Sequence, residues 1–378
     1  MSRHAESVTT ETLDFLRGVA AVYVLVNHTR GAFFKGGKAV FREAGSSALS
    51  FFDYFSLSIL QGTSLGTEFV ILFFCVSGIA MAHSMASAPD PLLFYRKRMI
   101  RIWPPFIAAV AFAVALCYGM GLLRPDNVFS ATCAEKLCSA NEIVKMVFYI
   151  NPSSSLTPQF WSLPYEVLFY IFCPIILFSE GSMRLAFACS VGFALVGLAR
   201  YGVAINPSGS IFINFLINEL FWFLCGAIGF YYYAKIPRLS PIAFWTSSAC
   251  LIVSAWSIKY VIGYSNFFSN FVMICFTLLA VRNLPAELTR GKLRSFGAFS
   301  YSIYVFHYAI LVVISFALFE VFHVRGYEIS SYWAWIVFLV PTLMICWLLY
   351  LLVEKPCNDY LRRLRAAGRA ATQQISEA

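Results

Sequence analysis

Leu13–His28 reads LDFLRGVAAVYVLVNH, an apolar stretch with Asp14 and Arg17 near its start, Asn27 and His28 at its end, and an unbroken apolar run from Val19 to Val26 between them. A helix rises 1.5 Å and turns about 100° per residue. The path from Arg17 to His28 is therefore roughly three full turns plus 20°, and both side chains share one face ~16 Å apart. A cation and a titratable imidazole then line a single route. Ionisable groups in a membrane helix are costly, face the bundle interior or a polar cavity, and mark substrate or ion pathways. The competing reading has Arg17 snorkelling to one interface and His28 marking the other.

Composition puts this helix in a bilayer. The 378 residues are 60% hydrophobic and 12% charged, with a mean hydropathy of +0.72, whereas soluble domains carry about a quarter charged residues. Apolar runs long enough to span hydrocarbon as helix recur near 13–34, 67–86, 103–123, 161–178, 183–201, 211–233, 241–260, 266–282, 298–322 and 331–353. The expectation is an all-α, polytopic helical bundle with about ten transmembrane helices. Residues 1–355 form one membrane domain, and 356–378 form a cytoplasmic basic tail.

The net charge of +9 follows membrane topology and gives no indication of nucleic acid as a partner. Arg96 to Arg101, Lys235, Arg238, Arg290, Lys292, Arg294, Lys355 and the tail arginines fall on one side. A smaller set, including Lys35, Lys38, Arg42 and Arg124, falls on the other. The positive-inside bias puts both termini in the cytoplasm, and no cleavable signal follows the first apolar stretch. Most cysteines lie in spans as packing residues. Cys133 and Cys138 lie in a long external loop from Arg124 to Gln159, where an oxidising compartment would permit a disulfide. No metal-ligand spacing is present.

Five further segments carry polar residues where membrane helices avoid them. FFCVSG (Phe73–Gly78) sets Ser77 inside the second span, as a helix-packing residue or an oxyanion donor, with Glu68 near the span's external entrance. YRKRMIRIWPPF (Tyr95–Phe106) puts Arg98 and Arg101 on one helical face, where their guanidinium forks suit phosphate oxygens or anchor the cytoplasmic boundary. FWSLPYEVLFY (Phe160–Tyr170) carries Trp161 and Glu166. The glutamate can orient an imidazole or pair with an arginine. SYSIYVFHY (Ser300–Tyr308) aligns Ser300, Tyr304 and His307 on one face, able to bond a polyol or join helices. LLVEKP (Leu351–Pro356) reads as a helix stop at the cytoplasmic boundary.

In this order the segments resemble the membrane acyltransferase-3 family, which includes bacterial O-acetyltransferases of surface and exported glycans. The marks are Arg17-x10-His28, Phe73-Phe74-x-x-Ser77-Gly78, Arg98-x-x-Arg101-Ile102-x-Pro104, Trp161-Ser162-Leu163-x-x-Glu166, Tyr301-Ser302-Ile303-Tyr304-x-x-His307 and Glu354-Lys355-Pro356. One position departs from the pattern. Many relatives carry an acid where this chain has Ile71, and the nearest acid here is Glu68.

The resemblance implies an inner-membrane acyltransferase that moves an acetyl group from acetyl-coenzyme A, a co-substrate rather than a resident cofactor, to a hydroxyl of a polysaccharide or oligosaccharide, free or lipid-linked. Arg17, Arg98 and Arg101 would bind the acyl-coenzyme A donor. His28 would act as general base or be acylated, with Glu166 as a second catalytic group. Ser77, Trp161, Tyr304 and His307 would bind substrate. Two alternatives stand beside this reading: an acyltransferase for a non-glycan small molecule or lipid, and a membrane transporter.

Overall fold

The computed structural model describes residues 8–33, 40, 42, 49–87, 91–123, 137–177, 179–201, 210–262, 266–290, 294–322 and 335–364. Cys133 and most of the terminal tail lie outside them. All regular structure among the described residues is helical. The principal helices are α1 (Thr10–Phe33), α2 (Phe51–Gly62), α3 (Gly66–Ser87), α4 (Pro91–Leu123), α5 (Ala140–Val147), α6 (Leu163–Ile176), α7 (Glu180–Tyr201), α8 (Leu220–Tyr231), α9 (Pro241–Ser257), α10 (Asn266–Asn283), α11 (Ser300–Phe316) and α12 (Trp335–Leu349). Among the described residues six helical stretches are long and apolar enough to cross a membrane, fewer than the ten spans expected. Two shorter apolar helices, Phe267–Asn283 and Ser300–Phe316, add to them.

The outer faces of these helices show why a bilayer is the fitting solvent. Val337, Val340, Met344, Trp347 and Leu348 of α12, Ile242, Trp245 and Val253 of α9, and Ile107, Leu122 and Leu123 of α4 are all exposed. In water such a belt would drive aggregation. In lipid it is ordinary, because hydrocarbon tails are as apolar as these side chains.

Association in lipid depends on close packing, and glycine supplies it at two crossings. A Cβ on Gly78 of α3 would run into the carbonyl of Phe223 on α8, and one on Gly226 would run into the carbonyl of Cys75. The two backbones therefore touch, the outcome that small residues permit. Near the start of α1, Gly297 meets the Asp14 carbonyl and Gly18 meets Phe296. These contacts lock α1 against the short helix Arg294–Ala298.

The segment expected as a plain external loop behaves differently in its second half. Helix α5 lies along α4, where Ile143 and Val147 pack with Ile107, Val110 and Val114. The Trp103 indole N–H donates to the Val147 carbonyl (3.0 Å). The Tyr149 ring then stacks on Phe106 at 4.2 Å. Irregular backbone beside a spanning helix is tolerated only where protein satisfies its polar groups. Here Ser154 and Thr157 do so through Ser154 N to Thr157 Oγ1 (3.1 Å) and between their hydroxyls (2.7 Å). Tyr149 and Asn151 adopt φ values of 61° and 52°, which turn the chain back. A 3-10 turn at Pro158–Ser162 leads into α6.

Two other expectations change. Residues 51–62, read as external loop, form α2. Its Ser50/Asp53 capping box fixes the start, and Phe51, Phe52, Phe55 and Ile59 face outward. The chain also does not stop at Glu354-Lys355-Pro356. A π-helical turn at Tyr350–Glu354 precedes further α-helix through residue 364. The wider turn relieves the clash that a proline ring makes with the preceding turn. The pairing considered for Cys133 and Cys138 lies outside the described residues, because Cys133 does; Cys138 Sγ lies 3.9 Å from that of Cys117.

Candidate functional site

The expected shared face of α1 is realised through α11. His28 Nδ1 lies 2.7 Å from His307 Nε2, and the two rings are nearly coplanar in stacking, 5.0 Å apart at 10°. His307 is fully buried, and its Nδ1 lies 2.7 Å from the Ile303 carbonyl oxygen. A carbonyl only accepts, so His307 Nδ1 carries the proton and, in the neutral ring, Nε2 is an acceptor. His28 Nδ1 must then donate. This leaves His28 Nε2 with a free lone pair, the form a general base requires. The Tyr308 ring stands edge-on to His28 at 5.1 Å and holds its plane from the side.

Below this pair, toward the starts of α1 and α11, a cavity collects the remaining polar motifs. Arg17, Arg98 and Arg101 line it together with Ser77, Ser162, Glu166, Tyr170, Tyr301 and Tyr304, around about 50 Å³ of free space. That is room for a water or two. The lining is electropositive, with three guanidinium groups facing one carboxylate. Arg17 keeps a loose contact with Asp14 (3.5 Å). Arg98 sits over the faces of Phe94 and Tyr170 at 5.5 and 5.4 Å, contacts that position a guanidinium without consuming its donors.

Glu166 belongs to this cavity. Its carboxylate accepts a short hydrogen bond from Tyr170 and a longer one from Ser77 Oγ (3.4 Å). The partner of the His28 imidazole is His307, so the orienting part considered for Glu166 falls geometrically to His307. Ser77 contacts Glu166 and immediately precedes Gly78, the residue of the α3–α8 crossing. Tyr304 connects the two halves. Its hydroxyl donates to the Gln159 carbonyl (2.7 Å) and bonds Ser162 Oγ (2.5 Å), and its ring lies 6.4 Å from that of His307. Trp161 does not line the cavity; its ring stands edge-on to Phe74, which does, and to Tyr165.

Tyr170 escaped sequence reading, and two residues named there, Glu354 and Glu68, have partners it did not give. Tyr170 is four residues beyond Glu166 on the same face, a spacing that could have signalled it. Glu354, read as a boundary residue, is 1% exposed. Its Oε2 accepts from Ser302 N (3.0 Å) and Ser302 Oγ (2.6 Å), which caps the start of α11. Glu68 is fully buried and pairs with Lys259 (2.8 Å) and Ser269 (2.8 Å). The only hint of that pair was a lysine inside an apolar run. Ile71, at the position where many relatives have an acid, is itself buried. Among the described residues no group of three or more His, Cys, Asp or Glu could hold a metal ion.

Comparison with known proteins identifies the family of the chain. The chain is 25% identical over 336 residues to BcsY of Komagataeibacter xylinus, provisionally described as a membrane-bound transacylase; the match covers 85% of this chain and 83% of the relative. It is 24% identical to Nodulation protein 10 of Rhizobium leguminosarum bv. viciae, covering 76% and 81%. It is 22% identical to Acyltransferase MdmB of Streptomyces mycarofaciens, covering 85% and 88%. No solved structure matches the chain at a significant level. Residues 11–351 match the family's Acyltransferase domain, so the chain belongs to the acyltransferase-3 family and is a membrane acyltransferase.

Proposed function

We propose that this acyltransferase takes an acetyl group from acetyl-coenzyme A on the cytoplasmic side and transfers it to a hydroxyl of an exported or cell-surface glycan in a bacterial inner membrane. The observation that carries the reading is the His28–His307–Ile303 relay standing above a cavity lined by three arginines. Arg98 and Arg101, near the start of α4, receive the donor's phosphates through paired N–H donors, with Arg17 above them. The free space is too small for a pantetheine arm, so entry of the donor parts the side chains that close the cavity, Tyr304 among them.

At the upper end, His28 Nε2 removes the proton of the attacking hydroxyl as oxygen bonds to the thioester carbon. The proton passes to the imidazole, and the thiolate of coenzyme A leaves. His307 keeps His28 in the one tautomer that can accept. A positioned base of this kind contributes roughly 10²–10⁴ in rate. Ser77 and Tyr304 supply hydroxyl donors for the carbonyl oxygen. Glu166, held by Tyr170, limits the positive charge of the cavity.

Sealed vesicles of known orientation test the proposal. Labelled acetyl-coenzyme A should support transfer only from the face that carries Arg98 and Arg101. Arg98→Lys and Arg101→Lys should raise the donor KM about tenfold, because lysine keeps the charge and loses the fork. Donor use from the opposite face, or Lys variants with unchanged KM, would reject it. A lipid acceptor preferred over every glycan would redirect the acceptor assignment.

A further inference from the structure

Helix α6 presents two polar faces, and only one of them serves the arginine cavity. Ser162, Glu166 and Tyr170 repeat every four residues toward that cavity. Trp161 and Tyr165, one position earlier in the same repeat, point elsewhere, with their rings 6.1 Å apart at 66°. Tyr165 meets the segment leading into α8, and Trp161 stands beside Tyr165. A helical turn at Ile211–Asn214 gives way to a π-helical turn at Phe215–Glu219, packed on α6 through Phe172 against Phe212 and Phe215.

The Tyr165 hydroxyl lies beside Asn214 and Glu219. Asn214 Oδ1 and Glu219 Oε2 are both shut off from solvent and have no hydrogen-bond partner among the described residues. A buried acceptor left unpaired costs about 1–3 kcal/mol, more for a charged group. Two such acceptors at a π-turn, a feature that often marks functional sites, ask for a ligand rich in donors.

We propose that Trp161, Tyr165, Asn214 and Glu219 form a carbohydrate subsite that holds a pyranose unit of the acceptor. The chemistry matches on both sides. A carboxyl group can bond two neighbouring hydroxyls at once. The amide oxygen takes a third hydroxyl. The indole of Trp161 offers an apolar face to the C–H face of a pyranose whose hydroxyls are equatorial, as aromatic side chains do in binding sites. A cationic ligand would satisfy Glu219 but would leave the amide oxygen and the indole without a role.

The subsite also has a path to the chemistry. Trp161 is followed by Ser162, which bonds Tyr304, and Tyr304 borders His307. An oligosaccharide anchored by one unit between α6 and the π-turn can extend its next unit along this line to the histidines. The inference rests on the glycan-acceptor reading and names where that acceptor is held.

The test is equilibrium binding of a β-1,4-linked glucose tetrasaccharide, whose hydroxyls are all equatorial, to the purified full chain in lipid nanodiscs without donor. Wild type should bind at millimolar concentration, and Glu219→Gln, Tyr165→Phe and Trp161→Leu should each weaken binding about tenfold or more. If Glu219→Gln fails to fold, the Tyr165→Phe variant, which removes a single hydroxyl, decides. Absence of binding by wild type, or variants that bind as wild type does, overturns the subsite. A separate assay for acetyl transfer to glycans distinguishes the two levels. Transfer with the acceptor KM unmoved by these variants removes the subsite and leaves the function. Binding through the subsite with no transfer to any glycan removes the function and leaves a sugar site.

Discussion

Replacing Glu354 tests how the reactive histidine is held from a distance. This carboxylate is 1% exposed, and its Oε2 receives both the backbone N–H and the hydroxyl of Ser302 at 3.0 and 2.6 Å. Ser302 lies in the first turn of α11, whose leading N–H groups have no partner within the helix. Glu354→Ala leaves two buried donors unpaired at about 1–3 kcal/mol each, for a total of about 2–6 kcal/mol. Glu354→Gln keeps an acceptor but gives up the charge assistance and the interaction with the helix dipole, about 1–2 kcal/mol. Lys355→Ala removes a neighbouring exposed charge and should stay within about 0.5 kcal/mol of wild type. Unfolding of the purified protein, followed by tryptophan fluorescence in one detergent, should rank the Ala variant far below the Gln variant, the Gln variant below wild type, and Lys355→Ala beside wild type. An Ala variant as stable as wild type would refute the cap, and with it the claim that Glu354 sets the start of the helix that carries Tyr304 and His307.

Three further outcomes follow from the same contacts. Gly226→Val would drive side-chain atoms into the Cys75 carbonyl and should abolish accumulation of folded protein in the membrane; normal expression would show that α3 and α8 can separate at no cost. Breaking the buried pair by Glu68→Leu or Lys259→Met alone should destabilise by about 3–5 kcal/mol, while the double variant recovers most of the loss; a double variant worse than either single would show that the pair does more than neutralise itself. His307→Gln retains an acceptor for His28 Nδ1 and a donor, so it should keep more acyl transfer than His307→Leu, which frees the His28 tautomer; equal activities would remove the relay.

The spanning helices were legible because hydrocarbon length and apolar composition are one-dimensional properties. Their ends were less so. The apolar run of α4 was expected from residue 103, with Arg98 and Arg101 on a helical face before it, and the helix begins earlier still at Pro91, because a basic turn continues a helix beyond the hydrocarbon even though Pro104 and Pro105 lie inside it. Arg17, Arg98, Arg101, Ser77, Glu166 and Tyr304 were named from motifs, and one cavity gathers all six. Their grouping was not readable, since Arg98, Glu166 and Tyr304 lie on three helices whose crossings depend on packing. The His28–His307 contact spans 279 residues, and no local periodicity encodes such a pairing. The segment beside α4 was missed for a related reason. Its polar Asn-Pro-Ser-Ser-Ser run at residues 151–155 looks like an exposed loop, and only the internal bonding of Ser154 and Thr157 shows how it enters the bundle.

The central claim is that His28 Nε2 is the base in acyl transfer. Its most direct measurement is the rate of acetyl transfer by purified His28→Ala at saturating donor. Loss of a positioned base predicts a fall of roughly 10²–10⁴ with donor affinity and thermal stability near those of wild type. A His28→Ala enzyme that turns over within a few-fold of wild type would contradict the account.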